Sequence, residues 1–104
     1  MRLFQDHLGR KVEVPDFPKR IISLCPSITE TLVEMVGSER VVGRTRFCIH
    51  PKERVRSIAR VGGTKEIKYE RLYRLKPVLI IAEIEENTPE MVAELAHHYP
   101  VFVV

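Results

Sequence analysis

The segment from Arg20 to Glu30, with the sequence RIISLCPSITE, restricts the fold of this chain more than any other. Its opening residues IISL form a short apolar run rich in β-branched side chains, which predicts a buried strand. Pro26 ends that strand, and the S-x-x-E spacing of Ser27 and Glu30 predicts a capping box that starts a helix. A strand that leads directly into a helix N-terminus is how open α/β sheets form a ligand-binding crevice.

The rest of the chain repeats this alternation of strands and helices. The pattern predicts a small hairpin within residues 1–15, strands at 41–43, 58–61, 78–82 and 101–104, and helices at 27–37, 67–75 and from Thr88 and Pro89 onward. Strands that alternate with helices favour a parallel sheet with right-handed crossovers. We therefore expect one three-layer α/β domain over residues 1–104, with a mainly parallel sheet flanked by helices.

The length and the cysteine content limit the location and the chemistry of the protein. No apolar run approaches the roughly 18 residues that span a bilayer, and the N-terminus lacks the pattern of a secretion signal. As written, the chain is expected in the cytoplasm; a periplasmic or extracytoplasmic location is the alternative if a signal was removed. Cys25 and Cys48 are too few for a disulfide framework and are expected to be free thiols or site residues.

The formal charge of +3 is unevenly distributed. Residues 52–76 carry nine Lys or Arg against three Glu, while residues 77–104 carry five Glu and no Lys or Arg. A basic stretch raises the question of nucleic-acid binding. Lys68, Arg71 and Arg74 recur at i, i+3 and i+6, however, which is typical of a solvated helix face. We expect no nucleic-acid partner.

Four segments follow predicted strands and should meet at the carboxyl edge of the sheet, where open α/β sheets bind ligands. The predicted ligand-binding residues are Cys25, Pro26, Ser27, Phe47, Cys48, His50, Gly63, Thr64, Lys65, Glu85, Glu86 and Asn87. If the strands that precede the two cysteines are neighbours, both thiols should face one crevice with Phe47 and His50. This group of residues is the strongest functional signal in the sequence.

The same residues also have structural interpretations. Cys25 at a strand end suits a small core residue as well as a ligand, and Lys65 could pair with Glu85 or Glu86. Cys48 and His50 form a C-x-H pair that suits a transition metal, although this motif is weak by itself. There is no G-x-S-x-G, H-E-x-x-H or G-x-G-x-x-G motif, so no catalytic set emerges and we expect a binding protein, not an enzyme.

Several motifs together resemble a known family. The runs RIISLCPSITETLVEMVG, VVGRTRFCIHP, RVGGTK, YERLYRLKPVLIIA and PVFVV are similar to the N-terminal lobe of the periplasmic-binding proteins of vitamin B12 and iron-siderophore ABC importers, the helical-backbone metal receptors. The resemblance implies one lobe of a two-lobed class III binding-protein fold, with cobalamin, haem, a ferric siderophore or a related metal chelate held between the lobes. It also implies an ABC permease as partner.

The resemblance assigns roles to two residues. Phe47 matches the aromatic residue that faces the cleft, and Glu70 matches the acidic residue that docks on the permease; Glu70 could equally be the i,i+4 partner of Arg74. The alternative function is a cytosolic metal-binding accessory domain or enzyme that uses Cys48, His50 and Glu85.

The predicted strand at 101–104 should leave an open sheet edge or an unfinished second half. We therefore expect a homodimer or domain-swapped pair, or completion by a missing second lobe.

Overall fold

The computed structural model describes residues 2–104, which form a small hairpin and a five-stranded sheet with helices between the strands. The elements are β1 (Arg2–Gln5), β2 (Lys11–Val14), β3 (Ile21–Ser23), α1 (Pro26–Val36), a 3₁₀ turn (Ser38–Arg40), β4 (Val41–Arg44), α2 (Lys52–Val55), β5 (Ala59–Arg60), α3 (Tyr69–Arg74), β6 (Leu79–Ala82), α4 (Pro89–Ala96) and β7 (Val101–Val103). Among these residues, no helix is long and apolar enough to cross a bilayer.

The main sheet has the order β5-β4-β3-β6-β7, and every neighbouring pair is parallel. From β3 the chain adds strands in one direction as far as β5, and it then crosses back to add β6 and β7 on the other side of β3. Such a reversal is the point where open α/β sheets place their ligand crevice. The predicted three-layer α/β fold with a parallel sheet is confirmed.

Two hydrophobic clusters fill the space between the sheet and its helices. One joins Val33 of α1 to Val55 of α2, and the larger one joins Leu72 of α3 to Leu95 of α4. The larger cluster includes Ile80, which is completely buried in β6. The apolar runs that predicted buried strands are therefore buried because helices pack against them.

The helix α1 begins differently from the prediction. Its N-cap is Cys25, which makes no side-chain capping hydrogen bond, and Pro26 occupies the first turn. Because proline has a fixed φ that suits the first helical position, the helix starts before Ser27, and the predicted Ser27–Glu30 capping box is wrong. At the other end, the N–H of Gly37 donates to the carbonyl of Val33, as the predicted helix end requires.

Two further helices differ in extent from the prediction. The four-residue helix α2 (Lys52–Val55) was not predicted, and α3 starts at Tyr69 instead of Ile67. Ile67 instead forms an isolated antiparallel bridge with Gly62. This turn is closed because the N–H of Gly63 donates to the carbonyl of Glu66 over 2.7 Å. In α4 the prediction holds, since the Thr88 Oγ1 accepts a hydrogen bond from the helix N-terminus.

The hairpin tip covers the outer edge of β7. The N–H of His7 donates to the carbonyl of Val103 over 2.7 Å, and the N–H of Val103 donates to the carboxylate of Asp6 over 3.3 Å. The Arg10 Nη2 donates to the carbonyl of Val101. The expectation of an open edge at β7 is therefore wrong. The homodimer stays a prediction, but it no longer has this edge as its physical ground.

Candidate functional site

Three of the four predicted loops meet at the carboxyl edge of the sheet. Lys65 reaches across the edge, and its Nζ donates to the carbonyls of Glu85 (2.8 Å) and Glu86 (2.6 Å). The expected contact between Lys65 and this loop is present, but the acceptors are backbone carbonyls instead of carboxylates. The loops after β5 and β6 are thus held together by a lysine whose charge is exposed to solvent.

Asn87 joins the same loops from below. Its Nδ2 donates to the carbonyls of Leu24 (3.0 Å) and Thr64 (2.8 Å), and its Oδ1 accepts from the N–H of Glu83 (2.8 Å). The side chain is nearly completely buried. The amide atoms of Asn87 are therefore engaged within the protein and are not free to bind a ligand. Instead, the side chain positions the loops on both sides of the switch point between β3 and β6.

Both cysteines lie below the surface of this edge. Cys48 is completely buried, and its Sγ lies 3.0 Å from the Thr29 Oγ1 and 3.1 Å from the Thr45 Oγ1. Cys25 is 4% exposed, and its Sγ lies 3.4 Å from the Ser27 Oγ. In this structure neither thiol is presented to a ligand above the sheet, because the threonine and serine hydroxyls lie against them.

His50 does not join Cys48 in a metal-binding group. Within residues 2–104, no three His, Cys, Asp or Glu side chains come together in a way that could hold a metal ion. His50 instead lines a groove together with Arg44, Lys52 and Arg60. Positive charges repel a divalent cation, so the surroundings of His50 favour an anionic ligand over a metal ion.

Phe47 is the exposed aromatic side chain of the edge. About half of it is exposed, and the guanidinium carbon of Arg46 lies 4.7 Å from the ring centroid, a cation–π distance. Arg46 also covers Gly63, where an added Cβ would lie 3.1 Å from its Nη1. Phe47 and Arg46 together expose an aromatic ring and a delocalised cation, and Gly63 is buried beneath Arg46.

Sequence reasoning missed Arg46 and Arg44. Arg44 ends β4 and is 4% exposed, and burial together with the positive charge of Arg60 lowers its pKa below the usual arginine value. The available signal was a pair of arginines two positions apart at the end of a buried strand. The strand period of two would place both on one face, so local pattern did not show that Arg44 is buried while Arg46 is exposed.

Glu70 lies in the first turn of α3. Its carboxylate is 2.9 Å from the Arg74 Nη2, and both side chains are largely exposed. This is the i,i+4 helix pair that the spacing allows. An exposed pair of this kind leaves the carboxylate accessible to another protein.

Comparison with known proteins gives the chain its relatives. No protein-family model matches it. An uncharacterised ABC transporter substrate-binding lipoprotein, YvrC of Bacillus subtilis, is 35% identical over 77 residues, which are 74% of this chain and 24% of that protein. The chain thus spans about a quarter of the curated relative that it matches.

Solved structures agree with this relationship. The periplasmic vitamin B12 binding protein BtuF of Vibrio cholerae is 30% identical with a TM-score of 0.75, over 86% of this chain and 35% of that protein. The periplasmic heme-binding protein RhuT of Roseiflexus sp. RS-1 is 29% identical with a TM-score of 0.73, over 82% and 33%. The molybdate-binding protein MolA of Haemophilus influenzae covers all of this chain with a TM-score of 0.88, but at 21% identity it supports the fold alone.

Proposed function

We propose that this chain, which has the sequence pattern and fold of one lobe of the substrate-binding proteins of vitamin B12 and iron-siderophore ABC importers, supplies half of a ligand cleft for a metal chelate. The sequence led us to expect a binding protein, and these relatives are a substrate-binding lipoprotein, a vitamin B12 binding protein and a heme-binding protein. The ligands of the structural neighbours include vitamin B12 and heme. For this chain the proposed ligand is a corrinoid, a haem or an iron chelate.

The observation that supports this proposal is the exposed surface formed by Phe47 and Arg46. It follows β4 at the carboxyl edge of the sheet, the edge where open α/β sheets bind ligands and over which a second lobe would close. An exposed aromatic ring packs well on a flat macrocycle, and the Arg46 guanidinium adds a charge that suits a carboxylate substituent. The other predicted ligand-binding residues that remain accessible there are Ser27, Lys65, Glu85 and Glu86.

The test is the absorbance spectrum of the purified chain after incubation with haem, cobalamin or a ferric siderophore. We expect a saturable spectral change with one of the three, weakened about tenfold by Phe47→Ala because a buried aromatic contact is lost. Phe17→Ala is the matched control, since Phe17 is 79% exposed and lies in the linker before β3. Binding of none of them, together with stoichiometric zinc that a chelator removes, would support the metal-binding accessory domain instead.

We also propose that Glu70 contributes to docking on an ABC permease. The carboxylate projects from α3 and is 82% exposed despite its ion pair with Arg74. Glu70→Arg should weaken association with detergent-solubilised permease, while Glu66→Arg, a charge reversal at another exposed glutamate, should leave it unchanged. Equal binding by all three proteins would refute this role.

The relatives also bear on location. They are a lipoprotein and periplasmic proteins, so we propose an extracytoplasmic location for this chain, and the cytoplasmic expectation has no support among them. A two-lobed protein completed by further sequence is the proposed assembly in place of a homodimer, because the edge of β7 is already covered. Light scattering of the chain at increasing concentration distinguishes the two, since a dimer would double the measured mass.

A further inference from the structure

A groove of about 410 Å³ lies at the edge of the domain formed by the ends of β4 and β5 and by α2. Its titratable lining is entirely basic and consists of Arg44, Arg46, His50, Lys52, Arg56 and Arg60. Among the residues that the structure describes, no aspartate or glutamate lines it. Phe47 and the loops of Ser27 and Glu85 do not line it either, so the basic groove borders the aromatic surface and shares only Arg46 with it.

Arg44 forms the buried part of the basic groove. Its Nε donates to the carbonyls of Val55 (2.8 Å) and Ile58 (3.2 Å), and its Nη1 donates to the carbonyls of Thr45 (3.2 Å) and Cys48 (3.1 Å). All four acceptors are neutral, so no carboxylate within residues 2–104 balances this buried charge. Buried charges in proteins are ordinarily paired.

One nitrogen of Arg44 remains for a ligand. The Nη2 makes no hydrogen bond within the described part of the chain. Every fully buried side-chain nitrogen in that part has a hydrogen-bond partner, so the Nη2 is not fully buried. The Nη2 is therefore at least partly accessible, although the residue as a whole is 96% buried, and Arg44 lines the groove. A guanidinium fixed through its other nitrogens presents this donor in one direction, which is the geometry that favours an oxyanion.

The charges around the basic groove repel one another. The positive charge of Arg60 acts on Arg44 strongly enough to lower its pKa, in addition to the effect of burial. An anion placed between the two guanidinium groups would stabilise both. Ile49 is 56% exposed and forms, with the buried Val55, an apolar part of the wall that suits a short carbon skeleton.

We propose that the basic groove binds a small molecule that carries two or more oxyanionic groups, either carboxylates or phosphates. One group is held by the Arg44 Nη2 and Arg60, and the others are held by Lys52 and Arg56. This site requires no metal chelate, and none of these four contacts involves Phe47 or Arg46, so its failure would leave the proposed transport function standing.

The test is isothermal titration calorimetry of the full 104-residue chain at low ionic strength, with pyrophosphate and tricarballylate as probes. We expect saturable binding of at least one probe. Arg56→Ala/Arg60→Ala should weaken it by about tenfold or more, because two charge-assisted contacts are lost. The control variant Lys19→Ala/Arg71→Ala also removes two positive charges, but from exposed positions outside the groove. It should change the affinity by less than about twofold.

Different results would overturn the proposal. Equal weakening by the two double variants would show general attraction of anions to a basic chain, and no binding of either probe at millimolar concentration would show that no such site exists. The ratio of the two affinities distinguishes phosphate from carboxylate ligands. Binding only to phosphatidate vesicles would overturn the small-molecule site in favour of a membrane surface. Circular dichroism checks that both double variants are folded. The comparison needs no Arg44 variant, so it stays valid even if a substitution of Arg44 prevents folding.

Discussion

Replacement of Asp6 should separate the hairpin from the edge of β7. The Asp6 side chain is completely buried, and its Oδ1 accepts hydrogen bonds from the N–H groups of Leu8 (3.1 Å) and Arg10 (2.9 Å). Its Oδ2 accepts from the Arg10 Nε (3.0 Å) and Nη2 (2.7 Å) and from the N–H of Val103 (3.3 Å). One carboxylate therefore closes the hairpin turn and attaches it to the sheet.

The expected loss of stability depends on which of these hydrogen-bond donors water can reach once the Asp6 carboxylate is removed. Loss of one member of a buried ion pair costs about 3–5 kcal/mol, but Arg10 is 35% exposed and can be solvated at the hairpin surface. The N–H of Val103 lies at the nearly completely buried end of β7 and cannot be solvated in this way. We therefore expect Asp6→Ala to lower the free energy of unfolding by about 2–4 kcal/mol. Asp6→Asn keeps an acceptor oxygen and should cost about 1–3 kcal/mol.

The same carboxylate should make the free energy of unfolding depend on pH in the acidic range. Burial alone raises the pKa of Asp6, but the hydrogen bonds from the Arg10 side chain and from the N–H groups of Arg10 and Val103 outweigh it and hold the pKa below its ordinary value of 3.8. The unfolded state therefore binds the proton more readily, so this stabilisation is complete above pH 3.8 and is lost as the pH falls through the folded-state pKa. Asp6→Asn should abolish that part of the pH dependence.

The assay is urea unfolding followed by circular dichroism, at neutral pH and at several acidic values. Glu13→Gln is the control, because Glu13 is exposed on β2 of the same hairpin and should change stability by less than about 0.5 kcal/mol. Should Asp6→Ala lose no more stability than Glu13→Gln, the contacts of the hairpin with β7 would not contribute to folding, and this reasoning would be refuted.

Four further predictions concern the loops, the sheet and the start of α1. In native protein, Cys25 and Cys48 should react slowly with a thiol reagent, and both should react at once in denaturant; fast native labelling of Cys48 would contradict its burial. Asn87→Ala should lower the free energy of unfolding by about 2–3 kcal/mol in urea titration, since two carbonyls lose their donor; a change below about 0.5 kcal/mol would contradict the role of this amide. Gly43→Ala should cost about 1–3 kcal/mol by the same assay, because the added Cβ would lie 3.0 Å from two packed side chains. Glu30→Ala should leave stability within about 0.5 kcal/mol, since no side-chain capping hydrogen bond is present at the start of α1; a larger loss would support the capping box.

The sequence by itself determined the fold class and the ends of its best-marked elements. Apolar runs, proline and glycine act over a few residues, so the buried strand before Pro26, the end of α1 at Gly37 and the capped start of α4 at Thr88 could be predicted from local pattern alone. The family motifs added the two-lobed interpretation. The capping box failed because two local signals competed, and the preference of Pro26 for the first helical turn prevailed over that of Ser27 for the cap.

Tertiary structure decided which of the predicted edge residues are accessible and which groups meet. Asn87 contacts the carbonyl of a residue 63 positions away, and Asp6 contacts a backbone N–H 97 positions away; such pairings depend on strand order and register, which no local pattern encodes. The burial of Cys48 and the convergence of Arg44 and Arg60 have the same cause. β4 and β5 are neighbours in register, so residues that are far apart in sequence end at one edge of the sheet.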